Sequence, residues 1–184
     1  KEELEAFDRV FIVACGTAYH AGLVGKTIIE KLAKIPVEVD IASEFRYRDP
    51  LITENSLLIV VSQSGETADT LAVLRDAKRM GARVLAITNV VGSSVSREAH
   101  HVVYTWAGPE IAVASTKAYE TQLIAMYILG IYFGEIKGTI NNELSEALKE
   151  ELMNLSEKVK EILTQKEKLQ KYASKNYMDK DVFF

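Results

Sequence analysis

Residues Val60 to Thr70 read VVSQSGETADT, and the fold of the chain follows from the change of character within this stretch. A fully apolar run, Leu57 to Val61, stops at Ser62-Gln63-Ser64-Gly65-Glu66-Thr67, and a helix-period pattern (Leu71, Leu74, Ala77, Lys78) begins at once. This predicts a strand, a tight hydroxyl-rich turn and a helix N-terminus. The first N–H groups of a helix lack intrahelical partners and sit at the positive end of the macrodipole, so such a turn is a ready anion site. Ser62, Ser64 and Thr67 supply hydroxyls, Gln63 an amide and Gly65 its backbone, and all five can converge on one phosphate. The turn holds no Lys or Arg, and the G-x-x-x-x-G-K-S/T pattern is missing. A single phosphate monoester held by neutral donors therefore fits better than a polyphosphate with Mg²⁺. The competing reading is that Ser and Thr here only cap the helix.

Upstream, Val10 to Cys15 (VFIVAC) is a short apolar run ending at Gly16-Thr17, followed by an amphipathic stretch, Tyr19 to Leu32, with Leu23, Ile28, Ile29 and Leu32 as expected core positions. A second strand-to-helix crossing is implied. Gly16 lets the backbone turn sharply, and Thr17 either caps the helix or donates to a ligand. Cys15 reads as a small buried hydrophobe, since no Cys-x-x-Cys and no flanking cation would activate its thiol. His20 reads as a helix-surface or capping residue. Ile35-Pro36 ends that helix, and Val37 to Ala42 (VEVDIA) reads as a strand at or near a sheet edge. Ser43 to Pro50 (SEFRYRDP) reads as a solvated loop in preference to a partner or ligand surface.

Downstream, Gly81 closes the central helix, and Val84 to Thr88 is another apolar strand. Gly92-Ser93-Ser94 opens a short helix, Val95 to Ala99. His100 and His101 precede a fifth strand, Val102 to Trp106, and read as its polar entrance, because no second cluster of Cys, Asp or Glu completes a metal site. The mixed turn Ala107 to Lys117 (AGPEIAVASTK) leads into an almost wholly apolar helix, Ala118 to Phe133, which must be buried or packed on a partner. From Asn141 a long charged helix is expected. Leu148, Leu152, Leu155, Val159, Ile162 and Leu169 form a stripe suited to a two-stranded coiled coil or, preferably, to packing on this or a neighbouring domain. Tyr172 to Asp179 reads as a polar linker, and Asp181 to Phe184 as the first residues of a further strand. The expected organisation is one domain over 1–184: sheet and flanking helices over about 8–135, C-terminal helices over 141–172, and a linker over 173–184.

The length of 184 residues suits one ordinary domain. With 48% hydrophobic and 26% charged residues the composition is globular. A net charge of -4 argues against a nucleic-acid surface, which requires basic patches. No run approaches the ~20 apolar residues of a membrane span, and no signal-peptide pattern opens the chain. Cys15 is the single cysteine, so an intramolecular disulfide is impossible and a reducing, cytoplasmic setting is expected. The chain starts at Lys1 without Met and ends on Val182-Phe183-Phe184, which suggests a piece of a longer protein.

Five short apolar strands alternating with helices predict an α/β fold, a three-layer α/β/α sandwich with a five-stranded parallel sheet. Ligands in such sheets sit beyond the carboxyl ends of the strands. The turns at Cys15 to Thr17, Ser62 to Thr67 and Ala107 to Thr116 all lie at that edge, so one site built from all three is expected.

Cys15-Gly16-Thr17, the SQSGETADT stretch from Ser62 to Thr70, the segment Val113-Ala114-Ser115-Thr116-Lys117-Ala118, and IASEFRYR from Ile41 to Arg48 resemble the first sugar isomerase (SIS) domain of the glutamine-fructose-6-phosphate aminotransferase family. The resemblance spans about residues 8 to 135 closely. The S-x-S-G-x-T turn marks the SIS superfamily, and SEFRYR together with VASTKA points to these aminotransferases. The resemblance implies that Ser62, Gln63, Ser64 and Thr67 hold a sugar 6-phosphate and that Cys15, Gly16, Thr17, Val113 and Ser115 line the sugar. Where the family has Ser after C-G-T this chain has Ala18, one phosphate hydroxyl fewer.

The resemblance further implies fructose 6-phosphate or glucosamine 6-phosphate as ligand, a homodimer, and neither a cofactor nor a metal. The parent of such a domain makes glucosamine 6-phosphate from fructose 6-phosphate and glutamine. A glutaminase domain releases the ammonia, and a second SIS domain with the C-terminal tail supplies the acid-base Glu, the ring-opening His and the Schiff-base Lys. None of these maps onto this chain. Proton transfer between C1 and C2 needs a base within hydrogen-bond reach, and no residue here is assigned that role, Glu66 and Glu110 included. Two other readings are a stand-alone SIS isomerase completed across a homodimer and a non-catalytic sugar-phosphate sensor domain.

Overall fold

The apolar run around Val60 forms strand β3, Ser56–Ser62, and all seven of its residues are buried. A strand covered on both faces has no reason to alternate polar with apolar residues, and the two faces are sorted instead between two cores. Val10, Ile12 and Ala14 of β1 (Arg9–Ala14), Leu57, Ile59 and Val61 of β3, and Leu85 and Ile87 of β4 (Arg83–Thr88) join one apolar cluster. The intervening Phe11, Val13, Leu58, Val60, Val84 and Ala86 join the other. This period of two is the signature of a sheet between helical layers.

The computed structural model of the chain describes residues 6–111 and 115–178. They fall into two compact units, Lys1–Ser145 and Glu146–Phe184, each described by itself. In the first unit β2 (Val37–Ile41) and β5 (His101–Tyr104) complete a five-stranded sheet of order β2-β1-β3-β4-β5, with every pairing parallel. Helices α1 (Thr17–Ala33) and α5 (Lys117–Lys137) cover one face through Ala18, Ile29, Ala125, Met126, Leu129 and Phe133. They approach closely, with Gly25 against Met126 and Gly130 against Ile28. The other face is covered by α2 (Ala42–Phe45), α3 (Ala68–Arg79) and α4 (Ser94–Glu98). The chain runs from β1 outward to β2 and then returns across β1 to β3. The carboxyl ends of β1 and β3 therefore border the switch point of the sheet, where α/β folds bind ligands.

Several local expectations change. Leu23, expected in the core, is 39% exposed, because the face of α1 turned to the sheet is set by Ala18, Gly22, Gly25, Ile29 and Leu32. The segment expected as a solvated loop after β2 begins with α2. Phe45 is buried there, edge-on to Phe11 at 5.6 Å, a contact worth about 1 kcal/mol beyond its area burial. Arg48 stacks on the Phe45 ring at 5.0 Å and pairs with Asp40 at 2.6 Å and with Glu38. Its guanidinium thus ties the segment to the edge strand. His100 Nδ1 accepts from Val84 N at 3.0 Å, which fits a polar strand entrance. The helix around the apolar stretch extends to Lys137, and while most of it is buried, Ile128 (53% exposed) and Tyr132 (44%) are not.

From Asn142 the expected single charged helix is instead three, α6 (Asn142–Met153), α7 (Leu155–Leu163) and α8 (Lys166–Asn176). The last runs into the stretch expected as linker. Within the second unit Val159, Ile162 and Leu169 of the apolar stripe are exposed. The strand expected at Asp181 to Phe184 lies outside the described residues.

Candidate functional site

At the carboxyl ends of β1 and β3 lies a cavity of about 360 Å³. The first of the three turns brings Cys15, Gly16 and Thr17 to it, the second Ser62, Gln63, Ser64 and Thr67, and the third Glu110 and Ser115. Parallel pairing explains the convergence: Ala14 is level with Val61 and Ser62 with Thr88, so turns that follow the strands emerge side by side. Helices α1 and α3 both begin here, with backbone donors and dipole ends facing one volume. No Lys or Arg is among the described residues lining it. The arrangement suits one compact anion held by neutral donors.

Inside the second turn, Gly65 N donates to Ser62 Oγ at 3.0 Å, and the hydroxyls of Ser62 and Thr67 are 3.2 Å apart. Glu66 N donates to Ser64 Oγ at 3.3 Å. Thr67 occupies the N-cap position of α3, yet its side chain makes no capping bond. The turn is clamped from the end of β4 and from α4: Asn89, the residue after the strand, donates its N–H to Gln63 O at 3.1 Å, and Val95 N donates to Gly65 O at 3.0 Å. Gly65 has φ +66°, and a Cβ there would lie 2.2 Å from Ser93 Oγ and 2.9 Å from Thr88 Oγ1. Both the conformation and the space demand glycine. Gly16 likewise has φ +60° and ψ -137°, a backbone that an L side chain rarely adopts.

Glu66 turns to the N-terminus of α4. Its carboxylate accepts from Ser94 Oγ and Ser94 N, both at 2.7 Å, and these bonds, the side-chain one foremost, hold its carboxyl below the usual 4.5. The third turn is organised by Asn89, whose Nδ2 donates to Gly108 O at 2.7 Å while Oδ1 accepts from Ala107 N at 2.8 Å and Thr105 Oγ1 at 3.2 Å. Glu110 Oε2 accepts from Ala118 N at 3.3 Å, at the start of α5.

Eight of the nine residues singled out for ligand contact thus line one cavity, and Val113 lies outside the described residues. His20 is exposed and packs edge-on against Tyr19 at 5.5 Å. Ala18, noted as a departure, lines the cavity and is 7% exposed. Gln122 lines it too and went unnoticed in the sequence, where it is one polar residue inside an apolar helix. Among the described residues no group of three or more His, Cys, Asp or Glu is placed to hold a metal, and no helix is long and apolar enough to cross a membrane.

The pattern of the SIS domain family matches residues 3–132. The chain is 66% identical over all 184 residues to the isomerizing glutamine–fructose-6-phosphate aminotransferase of Clostridium acetobutylicum, covering 30% of that protein. It is 47% identical over 177 residues to the enzyme of the same name from Thermus thermophilus, covering 96% of this chain and 29% of that one. Among solved structures it is similar to the C-terminal domain of glucosamine-fructose-6-phosphate aminotransferase from Francisella tularensis, with 41% identity and a TM-score of 0.91 over 95% of this chain and 49% of that one. The chain spans about 30% of the length of the curated relatives it matches.

Proposed function

The chain belongs to the SIS domain family, and from that premise we propose that it is the sugar-phosphate-binding half of the isomerase part of a glutamine–fructose-6-phosphate aminotransferase. The observation that carries the proposal is the single cavity in which the S-x-S-G-x-T turn and the C-G-T turn meet. Ser62, Gln63, Ser64 and Thr67 bind the 6-phosphate of fructose 6-phosphate or glucosamine 6-phosphate together with the first N–H groups of α3. Cys15, Gly16, Thr17, Val113 and Ser115 line the sugar chain. A dianion held by dipoles and hydroxyls alone is bound moderately and released readily, which suits a site that must let product go.

The similarity to the aminotransferases over the whole of this chain favours this over a stand-alone isomerase or a sensor domain. In the parent protein the ammonia comes from a glutaminase domain, and the proton transfer between C1 and C2 from groups of a second SIS domain and the C-terminal tail. The residues here bind and orient. The parent is a cytoplasmic homodimer in this proposal, with no nucleic-acid or membrane partner.

Calorimetry on the chain tests the assignment. Fructose 6-phosphate and glucosamine 6-phosphate should bind, and unphosphorylated fructose should compete poorly. Equal binding of fructose and its phosphate would sink the phosphate-turn assignment. With the acid-base groups elsewhere, the chain alone should form no glucosamine 6-phosphate from fructose 6-phosphate with glutamine or ammonia, and steady turnover would reveal a catalytic group on it.

A further inference from the structure

Gln122 is the one polar residue among the buried positions of α5, which are otherwise Ala118, Ala125, Met126, Leu129, Gly130, Ile131, Phe133 and Gly134. It is 3% exposed, lines the cavity, and its Oε1 has no hydrogen-bond partner among the described residues. An unpaired amide oxygen in an apolar helix face is costly, and buried polar groups in folded proteins are almost always paired. Methionine would fill the same volume without that cost. The amide also comes from a different element than the phosphate turn, from the helix entered through Ser115.

The chemistry of the missing partner is constrained. A carboxamide oxygen needs a donor, and a phosphate dianion offers acceptors only. A hydroxyl is both donor and acceptor, so it satisfies the amide whichever way the amide is turned. We propose that Gln122 is a specificity-determining residue of this cavity: its amide hydrogen-bonds a hydroxyl on the carbon chain of the bound phosphate monoester and takes no part in holding the phosphate. This rests on the sugar-phosphate reading above and deepens it. The phosphate turn supplies anchorage common to any monoester, and Gln122 discriminates those that carry a hydroxyl where it reaches.

Gln122→Met keeps the volume and removes the amide. The expected result is about tenfold weaker binding of fructose 6-phosphate, the loss of one hydrogen bond, with the affinity for methyl phosphate unchanged and the thermal midpoint equal or raised. A merely structural glutamine would instead lower the midpoint. Unchanged affinity for fructose 6-phosphate, or an equal loss for both ligands, overturns the assignment of Gln122 alone. If the unsubstituted chain binds neither ligand, the sugar-phosphate reading falls and this proposal with it. Should the variant not fold, the side-chain amide signal of Gln122 in ¹⁵N-labelled protein decides: a shift with fructose 6-phosphate and none with methyl phosphate supports the proposal, and no shift with the sugar phosphate overturns it.

Discussion

The hydroxyls of Ser62 and Thr67 face each other at 3.2 Å across the mouth of the turn. Thr67 stands where a helix-capping side chain belongs, yet it is turned toward Ser62 and leaves the first N–H groups of α3 without a side-chain cap. A threonine that served only as a cap would bond those N–H groups itself. Thr67→Val therefore separates the two roles. Stability should fall by no more than about 1 kcal/mol, the loss of one part-buried hydroxyl contact to Ser62 with no native cap removed. Binding of fructose 6-phosphate should weaken about tenfold, the charge-assisted end of the hydrogen-bond range. A clear loss of stability with binding intact in calorimetry would make Thr67 a structural residue.

Gly65 carries the opposite signature. Its Cβ would press on Ser93 and Thr88 while the backbone holds φ +66°. Gly65→Ala should cost about 3 kcal/mol, from left-handed strain and overpacking together. Urea denaturation measures it, and a shift below 1 kcal/mol would mean that the turn yields easily.

Ala18 in the first turn of α1 lines the cavity without offering a hydroxyl. If the phosphate sits where we propose, Ala18→Ser adds one donor beside it, so affinity for fructose 6-phosphate should rise about threefold to tenfold. Titration calorimetry reads the change directly, and weaker binding would place the new hydroxyl away from the phosphate.

Glu66 and Glu98 report on acid stability. Hydrogen bonds from Ser94 lower the carboxyl of Glu66, and the bond from Arg75 foremost lowers that of Glu98. For a group with a depressed folded-state pKa, the stability contributed is fully present above the unfolded value of 4.5 and is lost as pH falls through the folded value. Replacing both by Gln should flatten the fall of the urea midpoint below pH 4.5 while leaving that part of the slope above pH 6 unaltered. An identical acid slope in the double variant would show that other carboxylates carry it.

Association is the remaining expectation. Ile128 and Tyr132 of α5 are exposed in the first unit, as are Val159, Ile162 and Leu169 in the second. Apolar surface of this kind marks interfaces, so the chain should form a homodimer at tens of micromolar, most simply with two-fold symmetry. Sedimentation equilibrium showing a clean monomer there would end that reading.

Legibility in the sequence followed the range of the interactions. The strands from Val10, Leu57 and Val84 were readable because burial on both sheet faces demands an unbroken apolar run, and Gly65 marked its turn because local backbone geometry excludes other residues. The turn residues could be grouped in advance because parallel strands send all their carboxyl ends to one edge. Position on a helix face was not readable in the same way. Leu23 and Phe45 exchanged their expected environments because the angle at which α1 crosses the sheet, and the docking of α2 on Phe11, depend on partners far along the chain. Gln122 shows the same limit most sharply. In sequence it interrupts an apolar helix, and only the packing of α5 beside α1 over the end of the sheet, a contact between residues about a hundred positions apart, turns that amide into the cavity.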